Sequence, residues 1–121
     1  MIKLSFALKR RPELTREAFQ TYWLETHAPL VESVREALRI RRYVQSHSLP
    51  SEASEALRAA RGAPEEFDGV AQLWWNSLED VAAALAAPAG QAAAARLLED
   101  ERRFIDLARS PLWWSEEKVI F

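Results

Sequence analysis

The chain of 121 residues contains no cysteine, only two histidines and only three glycines. The absence of cysteine excludes disulfide bonds, thiolate metal sites and a cysteine nucleophile. Two histidines without cysteine give no metal-ligand spacing, so we expect no metal site and no tightly bound cofactor. The sequence also lacks a glycine-rich phosphate loop and a serine in a nucleophile-elbow context. The remaining candidates for catalysis are therefore acid–base side chains.

Strong net charge and long hydrophobic runs are also missing. The formal net charge of −2 gives no general attraction to phosphate backbones or anionic membranes, so we expect neither a nucleic-acid nor a membrane partner. No apolar run reaches the length of a membrane span, and the N-terminus lacks the apolar core of a signal peptide. The length predicts a single domain over residues 1–121, and the cytoplasm is the expected location.

Aromatic residues are plentiful by contrast, with five tryptophans and five phenylalanines. Two adjacent pairs, Trp74-Trp75 and Trp113-Trp114, lie in segments that read as strands. Neighbours on a strand point to opposite faces, so each pair presents one indole to either side of a sheet. Since an apolar second face needs a cover, we expect a second copy of the chain to supply it, giving a homodimer.

The periodicity of the sequence predicts an α+β order of elements. Alternation with period two predicts strands over residues 2–9, 40–49, 70–76 and 113–121, and helical spacing follows Thr15 and Ser77. Residues 51–67 are polar, rich in alanine and interrupted by Gly62 and Pro64, which predicts a surface insertion with one or two helical turns. The order βαββαβ is typical of the ferredoxin-like fold, a four-stranded antiparallel sheet with helices on one face.

The first helix leads to His27 and is then disturbed by Pro29. Proline has no N–H and disfavours helical geometry at Ala28, so we expect His27 on a last turn or at a kink. A helix C-terminus favours imidazolium, and histidine titrates near neutral pH, which makes His27 a candidate acid/base with Tyr22 and Trp23 close by. The alternative is a structural histidine that caps the helix and bonds to a strand.

The second strand places Tyr43, Gln45 and His47 on one face. If this face lines a cavity, the three side chains orient a polar group of a substrate. If it packs against the helices, they are hydrogen-bonded core residues, and at an open edge they are solvated.

The third strand separates two sets of side chains. Leu73 and Trp75 form the more apolar set and are expected to face the helices, which leaves Gln72 and Trp74 on the other side. There Trp74 either stacks on a flat ligand or belongs to a dimer interface. Asp68, just before this strand, either holds the tautomer of His27 or forms a turn with Gly69, and the turn is favoured.

Four segments of the chain resemble the EthD domain family. They are residues 6–15, 19–31, 43–47 and 68–79, and the most specific feature is Thr26-His27-Ala28-Pro29 combined with Asp68-Gly69. The resemblance implies a dimeric α/β barrel, in which two sheets enclose a cavity for a small hydrophobic or aromatic molecule. Similar barrels include cofactor-independent monooxygenases, dehydratases, isomerases and haem-degrading enzymes. The fold by itself does not choose among them.

The predicted function is therefore a cofactor-independent oxidoreductase of the monooxygenase type, or a related proton-transfer enzyme such as a dehydratase or isomerase. His27 is the predicted acid/base and Asp68 its candidate partner. The predicted substrate-binding residues are Tyr22, Trp23, Tyr43, Gln45, His47, Gln72 and Trp74. The main alternative is a non-catalytic ligand-binding protein of a catabolic or biosynthetic pathway. A haem-degrading barrel, with His27 or His47 on the iron, is a third.

Overall fold

The computed structural model describes residues 1–121 and contains one four-stranded sheet with helices. The strands are β1 (Ile2–Leu8), β2 (Arg42–His47), β3 (Gly69–Trp75) and β4 (Leu112–Glu116). The helices are α1 (Arg16–Tyr22), α2 (Ala28–Ser33), α3 (Glu52–Arg61), α4 (Leu78–Ala86) and α5 (Pro88–Glu101). A π-helical turn over Trp23–His27 joins α1 to α2, and a short 3-10 turn covers Leu107–Arg109.

The strands follow the order β2-β3-β1-β4 and all neighbours are antiparallel. The first strand is thus central although it comes first in the chain. This confirms the predicted α+β class and ferredoxin-like sheet. No single helix is long and apolar enough to cross a membrane; α4 and α5 reach that length and composition only together, and they meet at 96°.

The core lies between one face of the sheet and the helices. One group of buried side chains surrounds Phe19 and Trp23, and a second surrounds Val31 and Trp75. The alternating apolar residues of β1, including Phe6 and Leu8, belong to the first group, as the period-two pattern predicts. Burying a side chain of this size stabilises the fold by about 1.5–3 kcal/mol.

The helix does not end at His27, which corrects the expectation of a last turn there from Pro29. His27 and Ala28 both have right-handed helical backbone angles, and the N–H of Ala28 donates to the carbonyl of Trp23, five residues back. This wider turn lies just before Pro29, in the first turn of α2, where a missing N–H matters least. His27 is therefore inside a continuous helical segment, and a helix C-terminus does not favour its imidazolium.

Two predicted boundaries also change. The last strand ends at Glu116 rather than at residue 121, because Glu116 pairs with Ile2, the first residue of β1, and nothing remains beyond it to pair with. Within residues 51–67, the ten-residue α3 is longer than the one or two turns expected. Ser51 caps its N-terminus, and Gly62, at φ 59°, ends it in the left-handed region that glycine tolerates.

Candidate active site

A largely apolar cavity lies between the helix-facing side of the sheet and the helices. Its volume is about 140 Å³. Strand residues such as Phe6 and Leu73 and helix residues such as Val31 form the walls. Apart from the indoles of Trp23 and Trp75, only His27, Tyr43 and Glu101 carry polar groups among the lining side chains. The cavity therefore brings three proton-bearing groups together in apolar surroundings.

His27 is paired with a buried carboxylate on α5. Its Nδ1 lies 2.7 Å from Oδ2 of Asp100, and the two residues are 5% and 3% exposed. The ring also packs on Phe104, with the centroids 5.0 Å apart. Because these contacts hold one nitrogen and one ring face, the orientation of the imidazole is fixed.

Asp100 is held as a carboxylate by several donors. Burial opposes its ionisation, but hydrogen bonds from Tyr22, His27 and Arg103 outweigh it and keep the pKa of Asp100 below its ordinary value. The hydroxyl of Tyr22 donates to Oδ1 at 2.6 Å, and Arg103 donates to the same oxygen at 3.1 Å. Tyr22, predicted to bind substrate, thus serves here to hold Asp100 in place.

The partner of Nδ1 decides which nitrogen of His27 is available. Since ionised Asp100 only accepts hydrogen bonds, Nδ1 carries the proton and donates it. Burial lowers the pKa of His27, against the opposing effect of Asp100, so the imidazole is neutral near pH 7. Nε2 makes no hydrogen bond within the protein and is left as a proton acceptor on a cavity-lining side chain.

The π turn that carries His27 is positioned through Trp23. The Trp23 indole is buried, stacks on the ring of His47 at 4.5 Å and lies directly over Gly69. A Cβ on Gly69 would come within 2.4 Å of the Trp23 ring and within 2.8 Å of the carbonyl of Ser46. Glycine is therefore needed here for close approach of the indole to β3. Trp23 also lines the cavity.

Tyr43, Gln45 and His47 on β2 face the helices. Their packing therefore matches the interpretation as hydrogen-bonded core residues. His47 Nε2 donates to the side-chain oxygen of Gln45 at 2.8 Å, and Gln45 Nε2 donates to the Tyr43 hydroxyl at 2.8 Å and to the carbonyl of Trp23 at 3.0 Å. Of the three, Tyr43 alone lines the cavity, while Gln45 and His47 support it from behind.

The proton of the Tyr43 hydroxyl is not used in any hydrogen bond within the protein. It accepts a hydrogen bond from Gln45 and donates to no protein acceptor. Burial raises the pKa of Tyr43 despite this hydrogen bond, and the nearby carboxyl of Glu101 acts in the same direction. Tyr43 is thus a neutral donor on the cavity wall near pH 7.

Glu101 was not identified from the sequence. It ends α5 next to Asp100, lines the cavity and has no hydrogen-bond partner on its carboxyl group. Burial raises its pKa to about 7, and the charge of Asp100 acts in the same direction. One pattern does mark the residue: Leu97, Glu101 and Ile105 follow one another at intervals of four, so a carboxyl stands within an apolar helical stripe.

Asp68 does not pair with His27, which was the less favoured of its two interpretations. Asp68 is fully buried, and its carboxylate accepts from the Arg10 backbone N–H at 2.8 Å, from the Arg10 guanidinium at 2.5 Å and from Arg16 at 3.0 Å. Its backbone carbonyl accepts from Gln20. These contacts tie the start of β3 to the loop after β1 and to α1, so Asp68 does not reach the cavity.

Gln72 and Trp74 lie on the sheet face away from the helices, as the alternation predicts, and hence outside this cavity. Trp74 is not bare there, being 6% exposed. Lys3 and Arg42 stand over its ring at 5.2 and 4.7 Å, and its indole N–H donates to Glu117. The ring of Trp74 is therefore already in contact with cationic side chains of its own chain. Nowhere do three or more His, Asp or Glu side chains gather as metal ligands.

Comparison with known families identifies the class of protein. The model of the EthD domain matches residues 11–108, most of the chain, and the chain belongs to the EthD domain family. The search of curated proteins found no significant match.

Solved structures agree with the fold. An EthD-like protein from Ralstonia eutropha JMP134 has a TM-score of 0.66 at 22% identity, covering 99% of this chain and 94% of that one. An EthD family protein from Bacillus halodurans C-125 has a TM-score of 0.62 at 20% identity, covering 98% and 100%. A protein assigned as an antibiotic biosynthesis monooxygenase, from Deinococcus radiodurans, reaches 0.54 at 13%, covering 100% and 96%. At these identities the likeness shows the fold alone.

Proposed function

We propose that this protein binds a small, largely hydrophobic and aromatic molecule in the cavity between sheet and helices, and that His27 moves a proton on it. The observation that carries the proposal is the buried His27–Asp100 pair, 2.7 Å apart, on a cavity whose walls are otherwise almost entirely apolar. A carboxylate that fixes the tautomer of a histidine leaves its other nitrogen ready to accept a proton.

The reaction type follows from the proton that is taken. Deprotonation of a bound phenol makes its ring electron-rich enough to react with O₂, which is cofactor-independent oxygenation. Removal of a proton next to a carbonyl leads instead to isomerisation or dehydration. Both use a neutral His27 at the start, the state that burial favours. The monooxygenase-like fold neighbour is compatible with the first reaction and does not select it.

The test compares two ligands that differ at one group, a hydroxyl against a methoxy. 4-Nitrophenol in its un-ionised form donates a hydrogen bond from its hydroxyl, whereas 4-nitroanisole has the same nitrated ring but no proton to donate. We expect the protein to bind 4-nitrophenol about fivefold to tenfold more tightly, the typical effect of one hydrogen bond. His27→Phe should bind both ligands equally, as measured by quenching of the cavity tryptophans Trp23 and Trp75.

Two outcomes separate the alternatives. If His27→Phe keeps the preference for 4-nitrophenol while its circular dichroism shows an intact fold, His27 does not accept the proton and the proposal fails. If the preference is lost in the variant but no turnover is found with phenols or ketones, the cavity belongs to a ligand-binding protein that does not catalyse. Mass spectrometry of the gently purified protein would then identify the retained molecule.

We also infer that the sheet face away from the helices pairs with a second copy of the chain. Trp113 on β4 points to this face and is 49% exposed, and the residues Val119, Ile120 and Phe121 that follow β4 are exposed as well. Native mass spectrometry should show a dimer, and Trp113→Glu should give a monomer. Leu24→Glu, a change at an exposed position in the helical layer, is the control and should remain dimeric. A monomeric parent protein would contradict the inference.

A further inference from the structure

Glu101 lies where two apolar cavities meet. The first is the cavity of His27, and the second, of about 220 Å³, continues between the sheet and the helices α4 and α5. Leu4, Leu97 and Trp75 line both, and so does Glu101, the polar group that they share. Its carboxyl thus belongs to the interior of the site, and no hydrogen bond within the protein accounts for its position.

The titratable and charged groups around Glu101 come from three elements. His27 lies in the π turn, Tyr43 on β2, and Asp100 precedes Glu101 on α5, where it is already bonded to His27, Tyr22 and Arg103. No arginine or lysine pairs with Glu101. Burial raises its pKa to about 7, so near neutral pH it carries a proton that it can donate.

We propose that Glu101 is the second acid–base group of the site and that, together with His27, it equips the cavity for enolisable ketones with an apolar body. This inference rests on the proposed function, since it assigns a substrate class to the same cavity. Neutral Glu101 and the Tyr43 hydroxyl are two donors for a single carbonyl oxygen. His27 Nε2 is the acceptor for the proton on the adjacent carbon.

The step balances without an oxidant or a cofactor. Nε2 of His27 takes the proton from the carbon next to the carbonyl, and the C–H electron pair forms the carbon–carbon double bond. The carbonyl π electrons move to oxygen, which takes the proton of Glu101. The products are an enol, an imidazolium and a carboxylate. Reversal at the same carbon exchanges its hydrogen with solvent, and return of the proton to another carbon of a conjugated substrate shifts the double bond.

The apolar walls define the rest of the ligand. Outside His27, Tyr43 and Glu101, no lining group of the two cavities offers a hydrogen bond from a polar side chain, apart from the edges of the buried indoles. A ketone with one oxygen and a bicyclic hydrocarbon frame matches this distribution. 2-Tetralone has both features and is the probe we would use.

The experiment measures exchange of the C1 hydrogens of 2-tetralone in D₂O by proton NMR. Glu101→Gln should slow protein-catalysed exchange about a hundredfold, the usual contribution of a positioned acid, and leave 2-tetralone affinity within about twofold. His27→Phe should abolish exchange. Glu79→Gln, in the first turn of α4 and outside both cavities, is the matched control and should exchange at the parent rate. The parent rate should also fall above about pH 7, and Glu101→Gln should lack this decline.

Each result has a distinct consequence. If the parent exchanges and His27→Phe does not, while Glu101→Gln keeps the parent rate and pH profile, the role of Glu101 is overturned and the proposed function stands. If the parent fails to exchange 2-tetralone, the enolisable-ketone class is overturned, and the nitrophenol comparison decides the role of His27 separately. Infrared spectra provide a measurement that does not depend on turnover. A protonated carboxyl band at pH 6 that disappears in Glu101→Gln supports the proposal, and its absence from the parent protein contradicts it.

Discussion

Two buried aspartates of this protein have opposite roles. Asp68 and Asp100 are 0% and 3% exposed, and the pKa of each is held low although burial opposes its ionisation. Asp68 is bonded to two arginines, Arg10 and Arg16, which remain charged at any ordinary pH. Asp100 shares its oxygens with Tyr22, His27 and a more exposed arginine, Arg103, and through His27 it acts on a cavity.

The difference shows that the partner defines what a buried carboxylate does. A carboxylate between guanidinium groups is locked, since neither side releases a proton near neutral pH. A carboxylate next to a neutral imidazole sets the tautomer of a group that titrates in the physiological range. From the sequence, Asp68 was a candidate partner of His27 with a turn favoured; in the structure the carboxylate that contacts His27 is that of Asp100.

The largest expected effect is the loss of the Asp68 anchor. Asp68→Ala leaves Arg10 and Arg16 without their buried partner and should lower the free energy of unfolding by about 3–5 kcal/mol, as measured by urea denaturation. The folded fraction should still prefer 4-nitrophenol to 4-nitroanisole. A loss of this preference at unchanged stability would reverse the assignment of roles between Asp68 and Asp100.

Glu101 provides a contrast to both aspartates, because it is a carboxyl without a partner. Its pKa is raised on folding from about 4.5 to about 7, so its contribution to stability is complete below pH 4.5 and is lost as the pH rises through 7. Glu101→Gln has no carboxyl to ionise, so its free energy of unfolding should not fall as the pH rises. At pH 8 it should exceed that of the parent by up to about 3 kcal/mol, and by less where solvent entering the cavity screens the charge. At pH 4 the two proteins should unfold alike, and equal stability at both pH values would refute a buried, protonated carboxyl.

Substitution of Gly69 tests whether the start of β3 positions the candidate site. Gly69→Ala brings a methyl group against the Trp23 indole and should cost about 1–3 kcal/mol of stability, as strain of this kind does in other cores. Since Trp23 begins the turn that ends at His27, 4-nitrophenol binding should also weaken. Val70→Ala, on the opposite face of β3 and outside the cavity, is the control, and its binding should be retained.

The smallest expected change in stability is that of Asp100→Asn. The substitution keeps the shape of the side chain and its bonds to neutral donors, so we expect a loss of about 1–2 kcal/mol. Its functional effect should be larger, because an amide no longer requires the proton of His27 to be on Nδ1. The preference for 4-nitrophenol and the exchange of 2-tetralone should both fall. If they persist, the tautomer of His27 does not depend on Asp100.

Local patterns predicted much of the fold. The alternation in β1 separated Leu4 and Phe6 from Lys3 and Ser5, and Ser77 caps α4 by accepting from the backbone N–H of Asp80, as its spacing indicated. Where the prediction was wrong, a nonlocal contact decided the outcome. The helix continues through Pro29 after the π turn of Trp23–His27, whose first residue packs over Gly69 of β3, and β4 stops at Glu116 because β1 begins at Ile2.

In the candidate site, too, some residues were predicted from the sequence and others were not. His27 and Tyr43 were predicted from a helix and a strand face, and both line the cavity. Asp100 and Glu101 were not predicted, because an acidic pair near the end of a helix is common on protein surfaces. Their burial depends on α5 packing across the π turn and the sheet, which sequence spacing does not reveal.

The sequence by itself determined the order of the elements, the apolar faces and the absence of thiol chemistry, because these depend on residue type and on periods of a few residues. The tertiary structure alone decided which acid meets His27, which face of β2 meets the helices and that Glu101 is half-buried without a partner. Residues 73 positions apart come within 2.7 Å only when the sheet and helices pack, and only there does burial lower the pKa of His27.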